Sequence, residues 1–371
     1  QMLLEGTAAH NKKDVQILLD SWGAALSFAA SAQRLRFFAR VPATHADALL
    51  SLIAEILREP AFPRGELAIL KGREEASIAM EAQDTREQAR IALSRLVYSK
   101  GHPGWSESTQ ESKKILAGIT QKSLQQFHKR AHGGQSLIVS FAGDLNPHKA
   151  FMLVEKHFKT LPKRRVDTHA VKKAMPRAPR RTVVPIPHKA SIDYMVGLPA
   201  GITDTHKDYA ALVLGMQVLG NPSGFTGRLM KTVREEEGLT YGVYAYPQNF
   251  TYRVDGLLYI WGTFAPQLFA QGRAAIRREI KKIVEGGMTD EEVRKHAVMF
   301  AARAKVGFSN SSSIARIVHD TVANRKPLSY IEELPTRMRA LTAAKVNKAL
   351  AKYLLPKKLS ESAAGPLENI A

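Results

Sequence analysis

The sequence predicts an α+β protein of two homologous domains, each an antiparallel-type β-sheet with helices packed on one face. Its 371 residues are too many for one ordinary hydrophobic core. Helical and strand-like stretches follow one another in the same order in both halves of the chain. A basic segment that contains five prolines, residues 161–187, separates the halves. We therefore expect domains at residues 1–160 and 188–371, joined by a linker at residues 161–187.

The start of each half carries the clearest sign of the repeat. A predicted helix ends at a glycine in both halves: Lys12–Trp22 before Gly23, and Gly227–Glu237 before Gly238. Glycine suits that position because it adopts the left-handed cap conformation without a Cβ clash. Two predicted strands follow in each half: Ala25–Ala30 and Arg34–Val41 in the first, Leu239–Tyr246 and Gly256–Phe264 in the second.

Longer helices continue both halves. Three pairs correspond in order: Arg64–Ala82 with Thr289–Val306, Thr85–Tyr98 with Ser309–Ala323, and Thr120–His132 with Thr342–Leu354. Thr289 precedes three acidic residues, which is the pattern of an N-cap followed by carboxylates at the positive end of the helix dipole. Apolar runs at Leu137–Phe141 and Asp193–Val196 predict further strands.

Composition limits the functions that the chain can have. It has no cysteine, which excludes disulfides, thiol nucleophiles and cysteine-ligated zinc. This absence fits an oxidising compartment, so we expect a periplasmic location, with the cytoplasm and mitochondria as alternatives. Lys and Arg number 54 against 34 acids, a net charge of +20, which favours an acidic partner or substrate. The basic residues are scattered and accompany no nucleic-acid motif, so we expect no nucleic-acid binding. No apolar run reaches the roughly 18 residues that a membrane helix needs.

Two stretches resemble a known family. The first is Met2-Leu3-Leu4-Glu5-Gly6-Thr7, with Trp22–Ser27 and Glu59–Phe62 after it; the second runs from Gly227-Arg228-Leu229 through Val233-Arg234-Glu235-Glu236-Glu237-Gly238-Leu239-Thr240-Tyr241-Gly242 to Tyr244. In this order they resemble M16 (pitrilysin, insulinase-like) metallopeptidases. The resemblance covers essentially the whole chain and implies the LuxS/MPP-like M16 fold. It also implies that the native N-terminus is longer, with the first strands and the motif region before residue 1.

The family's metal motif does not occur in this sequence. M16 peptidases hold zinc with His-x-x-Glu-His and a Glu on a later helix. If Gly6-Thr7 aligns with the family's Gly-Thr, Gln1 occupies the position of the second His, and Gln is a poor zinc ligand. Glu74, Glu75 and Glu81 on the later helix are then interpreted as solvated charges. We expect no metal in this chain and zinc in a partner subunit.

One other pair of residues has the spacing of metal ligands. His128 and His132 lie four residues apart on a predicted helix, and residues with that spacing share one helix face. They lie at the end of the helix with no acid nearby. A surface pair is therefore the favoured interpretation.

Arg234 and Tyr241 are the candidate site residues. Taken locally, Arg234 is a cation at a helix C-terminus and Tyr241 a residue on a strand face. The resemblance implies instead that both bind peptide substrate and act in catalysis, Tyr241 as a donor to the oxyanion and Arg234 as a donor to a neighbouring carbonyl. An extended peptide would also need a sheet edge, for which we consider Ile192–Val196 and Leu257–Gly262.

These observations favour the non-metal subunit of a heterodimeric or heterotetrameric zinc peptidase. Such a subunit is inactive alone and positions the peptide for hydrolysis at its partner's zinc. Two alternatives within the family stay open: a structural core-protein-like relative without proteolysis, and a complete zinc peptidase whose motif precedes residue 1. An unrelated basic binding protein is a fourth hypothesis, but it leaves the repeat and the Arg234–Tyr241 pair unexplained.

Overall fold

The computed structural model describes residues 1–31, 33–131, 133–163, 171–221 and 223–367. The α-helices of these residues are α1 (Lys12–Ser21), α2 (Ala46–Arg58), α3 (Arg64–Glu81), α4 (Thr85–Val97), α5 (Thr109–Gly118), α6 (Gln121–Ala131), α7 (Pro147–Phe158), α8 (Tyr209–Gly220), α9 (Phe269–Gly286), α10 (Asp290–Val306), α11 (Ser311–Ala323), α12 (Tyr330–Arg339) and α13 (Ala343–Tyr353). The β-strands are β1 (Ala25–Ala30), β2 (Leu35–Arg40), β3 (Arg181–Pro185), β4 (Ile192–Pro199), β5 (Gly242–Gln248), β6 (Leu257–Phe264) and β7 (Ser360–Gly365). Among the described helices, none combines the length and the apolar character needed to cross a bilayer.

The described residues form two compact units, and each unit takes segments from both halves of the chain. The first unit contains Gln1–Ile78, residues 110–163 and Gly307–Ala323; the second contains Ala79–Thr109, residues 171–306 and residues 324–367. These units follow packing, whereas the predicted domains are continuous in sequence. The boundaries at residues 160 and 188 therefore stay a prediction.

The second unit is built on a five-stranded sheet with the order β3-β7-β4-β6-β5. β3 runs parallel to β7, and every other neighbouring pair in this sheet is antiparallel. All eight residues of β4 are buried, as expected for a strand with neighbours on both sides and cover on both faces. The predicted combination of helices with a largely antiparallel sheet is confirmed.

Helices cover both faces of this sheet, rather than the single face that the sequence predicts. On one face, Tyr194 and Val196 pack in a core with residues of α8, α9 and α13. On the other face, Met195 and Trp261 pack against Leu93 of α4. Alternate residues of one strand point to opposite faces, so a strand buried along its whole length needs cover on both.

The first unit has a smaller sheet in which β1 pairs with β2 in antiparallel register. Its core is centred on α2, where Ile53 and Ile56 are fully buried. The predicted strand Leu137–Phe141 pairs with no other strand among the described residues. It lines a cavity of about 530 Å³ together with residues of α7. The strand prediction was wrong because an apolar run leaves the pairing partner undetermined, and Ile138 and Phe141 of this run are exposed.

The backbone geometry supports the predicted internal repeat. Gly23 and Gly238, which end corresponding helices, have φ values of +58° and +63°. Further along each half, Gly143 and Gly365 share a φ of +147°. The same backbone hydrogen bond between residues two positions apart follows at both glycines. Leu145 N donates to Gly143 O at 3.0 Å, and Leu367 N donates to Gly365 O at 2.9 Å.

The described residues of the predicted linker contain one strand. Residues 181–185 form β3, whose Val183 lies opposite Ala363 of β7. The β-branched run Thr182-Val183-Val184 favours a strand, and Pro185 is tolerated because it ends a strand at the sheet edge. The proline and basic composition concealed this strand from the sequence prediction. Residues 164–170 of the same segment lie outside the described residues.

Candidate functional site

Arg234 lies on a short π-helix, Met230–Glu236, where the sequence predicts an α-helix. The backbone bond from Glu237 N to Thr232 O, 3.0 Å long, spans five residues as a π-turn requires. The backbone hydrogen bond at the C-terminal end of this helix runs from Leu239 N to Val233 O and spans six residues. The corresponding bond at the end of α1 runs from Ala24 N to Leu19 O and spans five. One extra residue is therefore accommodated in the second half, and π-helical insertions occur frequently at functional sites.

A tight turn connects this helix to the strand that follows Tyr241. Gly238, with its φ of +63°, donates from its N–H to Arg234 O at 3.1 Å. The backbone beside Tyr241 is held by Thr240, whose hydroxyl accepts from Gly242 N at 3.1 Å and donates to Thr263 O. Tyr241 itself is 88% exposed. Its hydroxyl has no hydrogen-bond partner among the described residues, so the phenol is presented to solvent by an ordered backbone.

The two predicted site residues lie at either end of the same turn. Arg234 is half-buried, and its Cζ atom lies 4.6 Å from the centroid of the Phe225 ring. That geometry is a cation–π contact. Among the described residues, the Arg234 side chain forms no ion pair. Neither residue is buried in the core, so both keep donor groups that a ligand could use.

An ion pair anchors the start of the helical segment that carries Arg234. Arg228 Nε lies 2.7 Å from Glu292 Oε1, and Arg228 Nη2 lies 2.8 Å from Glu292 Oε2. The same Glu292 accepts from Thr289 N at 2.8 Å. The Arg228 guanidinium, and then the Thr289 N–H, lower the pKa of Glu292 to about 2. This bidentate pair ties the segment to the first turn of α10.

The loop before this segment is fixed by hydrogen bonds that sequence reasoning missed. Asn221 N donates to Thr226 O at 3.1 Å, and Asn221 Nδ2 donates to Thr226 Oγ1 at 3.1 Å. Arg303 of α10 donates from Nη1 to Asn221 Oδ1 at 3.1 Å and from Nη2 to Ser223 O. The contacts of Arg303 join residues 80 and 82 positions apart, and in the sequence only the neighbouring glycines indicate an unusual loop.

The sheet edge near the site is β5. The two candidate edges, Ile192–Val196 and Leu257–Gly262, are both wrong because β4 and β6 each have neighbours on both sides. Among the described residues, β5 pairs with β6 alone. It begins at Gly242, directly after Tyr241. An open row of backbone donors and acceptors therefore starts at the candidate site.

Gln1, which the sequence analysis predicts to align with a metal ligand of the family, contacts a glutamate. Gln1 Nε2 donates to Glu74 Oε1 at 2.8 Å. Glu75 and Glu81 are exposed, as the sequence predicts, whereas Glu74 is half-buried in this contact. In the sequence, the predicted alignment of Gln1 with a histidine of the family is the feature that pointed to its contact with Glu74. One amide and one carboxylate do not make a zinc site, and the described part of the chain holds no group of three His, Asp or Glu side chains that could bind a metal.

His128, one of the two histidines considered above as metal ligands, makes other contacts in the structure. Its Nε2 lies 2.8 Å from Leu57 O, and its ring meets Phe62 edge-on, with the centroids 5.8 Å apart. His132 lies outside the described residues, so the pair itself stays untested. His128 has a structural contact within the first unit.

Comparison with known proteins relates part of the chain to a family model. Residues 118–297, which include Arg234 and Tyr241, match the family model of the peptidase M16 inactive domain. This segment, just under half of the chain, is similar to a peptidase M16 inactive domain. The resemblance to the M16 family that the sequence motifs predict is thereby confirmed. The match begins at residue 118, so it does not bear on the segment that aligns with the metal motif.

Relatives of the chain carry names of two kinds. The non-peptidase homolog YmxG of Helicobacter pylori is 21% identical over 349 residues, covering 94% of this chain and 78% of that protein. An uncharacterized zinc protease YmxG of Bacillus subtilis is 22% identical over 377 residues, covering 100% of this chain and 87% of that protein. Relatives of similar sequence identity are thus named both as a zinc protease and as a non-peptidase homolog.

A solved structure shares the fold of the whole chain. The peptidase M16 inactive domain from Pseudomonas fluorescens superposes with a TM-score of 0.86 at 24% identity, covering 100% of this chain and 88% of that one. The M16 fold class that the sequence predicts is therefore confirmed.

Proposed function

We propose that this M16 chain is the non-metal subunit of a two-subunit zinc peptidase. It grips an extended peptide with Arg234 and Tyr241, while a partner M16 subunit holds the zinc and carries out hydrolysis. The absence of cysteine supports the periplasm as the proposed compartment. The observation that carries the proposal is the phenol of Tyr241, 88% exposed on an ordered turn and without an internal partner.

The proposed chemistry uses only donors that this chain possesses. When water attacks a peptide carbonyl, its oxygen gains negative charge, and a preorganised O–H donor stabilises that charge. The Tyr241 hydroxyl is such a donor. The Arg234 guanidinium keeps N–H groups for a neighbouring carbonyl, since among the described residues it has a ring contact with Phe225 and no ion pair. The proposed role of this chain is therefore positioning and oxyanion stabilisation.

The open edge of β5 supports an extended substrate. A peptide that adds a strand to a sheet edge is bound through its backbone, so the binding tolerates many sequences. β5 begins one residue after Tyr241, and a peptide aligned along it would pass the phenol. We propose that unfolded segments, rather than folded domains, are the substrates.

Reconstitution tests the proposal as a whole. The chain is assayed for peptide cleavage and zinc content alone, and then mixed with an M16 subunit of the same organism that carries His-x-x-Glu-His. Cleavage only in the mixture is expected. Cleavage and stoichiometric zinc in the chain alone would instead identify a complete zinc peptidase.

Replacing Tyr241 by Phe tests the oxyanion donor in the active mixture. Tyr241→Phe removes one hydroxyl from an exposed side chain, so folding and subunit association should not change. Turnover should fall by about 10²–10³, the usual effect of losing one oxyanion donor. Tyr244→Phe is the matched control, because Tyr244 is three residues away and stacks on Trp261 at 5.7 Å through its ring. Equal turnover of wild type and Tyr241→Phe contradicts the proposal.

A structural M16 subunit without proteolysis is the second candidate. It is supported by the name of the Helicobacter pylori relative, a non-peptidase homolog, and by the Gln1–Glu74 hydrogen bond in place of a possible metal ligand pair. This candidate predicts a stable complex with a partner and no cleavage in any mixture. The exposed phenol of Tyr241 has no role in it, which is why we rank it second.

A further inference from the structure

We infer that Phe225 is a specificity contact of the Arg234–Tyr241 site, and that its ring accepts an apolar, uncharged side chain of the bound peptide. The inference rests on the proposed function and deepens it by naming a class of peptide residue. Phe225 is 66% exposed. Single exposed apolar side chains are common on protein surfaces; Phe225 is distinguished from them because its ring lies against the guanidinium of Arg234.

The exposure of Phe225 comes from a loop that is held in place. Asn221, which is 2% exposed, is bonded to Thr226 through both its backbone N–H and its side-chain amide. Arg303 donates to Asn221 Oδ1 and to Ser223 O. Phe225 directly precedes Thr226, so its backbone is fixed close to this hydrogen-bonded cluster. The ring is thus presented to solvent by a supported loop.

The contact between Phe225 and Arg234 determines what the ring offers to a ligand. With Cζ 4.6 Å from the centroid, the guanidinium covers part of one ring face. Its N–H groups lie in its own plane and stay available at its edge. A peptide carbonyl on that edge would bring the adjoining side chain to the uncovered part of the ring. The same cation–π contact orients Arg234 before the peptide binds.

The charges around the ring favour a neutral side chain. Arg303 has only neutral oxygens as hydrogen-bond acceptors among the described residues, and Arg234 has the ring of Phe225. Neither guanidinium is paired with a carboxylate among the described residues. Of the three acids that follow Arg234, Glu236 pairs with Lys231 and Glu237 with Arg278, whereas Glu235 is exposed and can offset only one of the two guanidinium charges. A lysine or arginine of the peptide would meet repulsion there, whereas leucine or phenylalanine would gain burial against the ring.

Peptide titrations test this inference on the intact chain. We would use fluorescein-labelled ten-residue peptides of Gly, Ser and Thr with one central Leu, Phe, Ser or Lys, and measure anisotropy up to millimolar protein. The wild type should bind the Leu and Phe peptides about 10-fold more tightly than the Ser and Lys peptides, a size typical of one apolar contact. Phe225→Ala should abolish this preference, and Phe225→Leu should keep most of it.

Phe151→Ala is the matched control, because Phe151 is a phenylalanine of the first unit with 61% exposure. It should leave the preference unchanged. Wild type without any preference, or Phe225→Ala with the full preference, overturns the inference. An equal loss in Phe225→Leu and Phe225→Ala also overturns it, because the ring would then act only by orienting Arg234.

Arg234→Ala and Tyr241→Phe, measured in the same titration, separate this inference from the proposed function. If both weaken every peptide while Phe225→Ala keeps the wild-type preference, only the inference fails. If neither changes the binding of any peptide, the peptide-gripping role in the proposed function fails, and the inference fails as well only if Phe225→Ala keeps the wild-type preference.

Discussion

The ion pair between Arg228 and Glu292 is the single contact on which the candidate site depends most. Both carboxylate oxygens accept from the guanidinium, and Arg228 Nη2 also donates to Gly287 O at 2.8 Å. Bidentate pairs of this kind are stronger and more directional than a single contact. Because Arg228 begins the segment that leads to Arg234, the pair fixes where the segment starts.

Replacing Glu292 by Gln should destabilise the protein in a pH-dependent way. Folding lowers the pKa of Glu292 from 4.5 to about 2, so its carboxylate contributes stability above pH 4.5 and loses it as the pH falls towards 2. Allowing for its partial exposure, Glu292→Gln should lower the free energy of unfolding by about 1–2 kcal/mol at pH 7. The difference from wild type should shrink between pH 5 and pH 3, as measured by urea unfolding.

Glu291→Gln is the matched control for this change. Glu291 lies in the same first turn of α10 and has the same charge, but it is exposed. It should retain only the weak interaction with the helix dipole, a few tenths of a kcal/mol. Equal destabilisation by the two variants at pH 7 would show that the pair with Arg228 adds nothing.

At the residue scale, local contacts could be predicted and distant ones could not. Thr289 caps α10 as its sequence indicates, since Glu292 N donates to Thr289 Oγ1 at 3.2 Å. Both residues of that cap lie within four positions of each other. The partner of Glu292 lies 64 positions away, and no local pattern indicates which of the many arginines would meet it. The same holds for Gln1 and Glu74, which are 73 positions apart.

The turn at Gly238 is the element that relates Arg234 to Tyr241. Its φ of +63° belongs to the left-handed region that glycine adopts without strain. A Cβ atom on Gly238 would meet nothing within 4 Å, so an alanine there is disfavoured by its backbone conformation alone. The corresponding Gly23 of the first half has a φ of +58° and equally open surroundings.

Gly238→Ala and Gly23→Ala together separate stability from function. Each should lower the free energy of unfolding of its own unit by about 1–2 kcal/mol, the cost of the left-handed conformation for alanine. Only Gly238→Ala should also weaken peptide binding, because relaxation of its turn shifts Arg234 relative to Tyr241. Unfolding and peptide titration of both variants provide the comparison. A similar loss of peptide binding in Gly23→Ala would contradict a local role for the turn.

At the element scale, the sequence indicates most elements but not how they pair. The helix ends at Gly23 and Gly238 follow from glycine chemistry, whereas the π-turn between Met230 and Glu236 adds one residue without altering the apolar pattern. β7 has no strand signal, since its sequence Ser-Glu-Ser-Ala-Ala-Gly is small and polar. It is nevertheless an interior strand of the sheet, between β3 and β4. Its side chains have distant partners: Ser362 Oγ donates to Ala89 O at 2.7 Å, and Glu361 pairs with Arg273 at 2.8 Å. Its long-range partners, rather than its propensity, make it a strand.

Charge is the property that belongs to the whole molecule. A net charge of +20 opposes the association of two copies of this chain and favours a partner of opposite sign. Few of the basic residues take part in the site described above. Their proposed role is to accelerate encounter with an acidic zinc subunit, since long-range attraction raises association rates more than it raises affinity.

The association rate with the zinc subunit should therefore depend strongly on salt. Between 20 and 300 mM NaCl, screening should slow association by about 10-fold or more and change dissociation much less. The double variant Lys172→Glu, Lys173→Glu reverses two exposed charges and lowers the net charge from +20 by 4, to +16. It should associate more slowly than wild type at 20 mM and at the same rate at 300 mM, as measured by stopped-flow fluorescence. A rate that is independent of salt for both proteins would mean that the charge serves a purpose other than recognition of this partner.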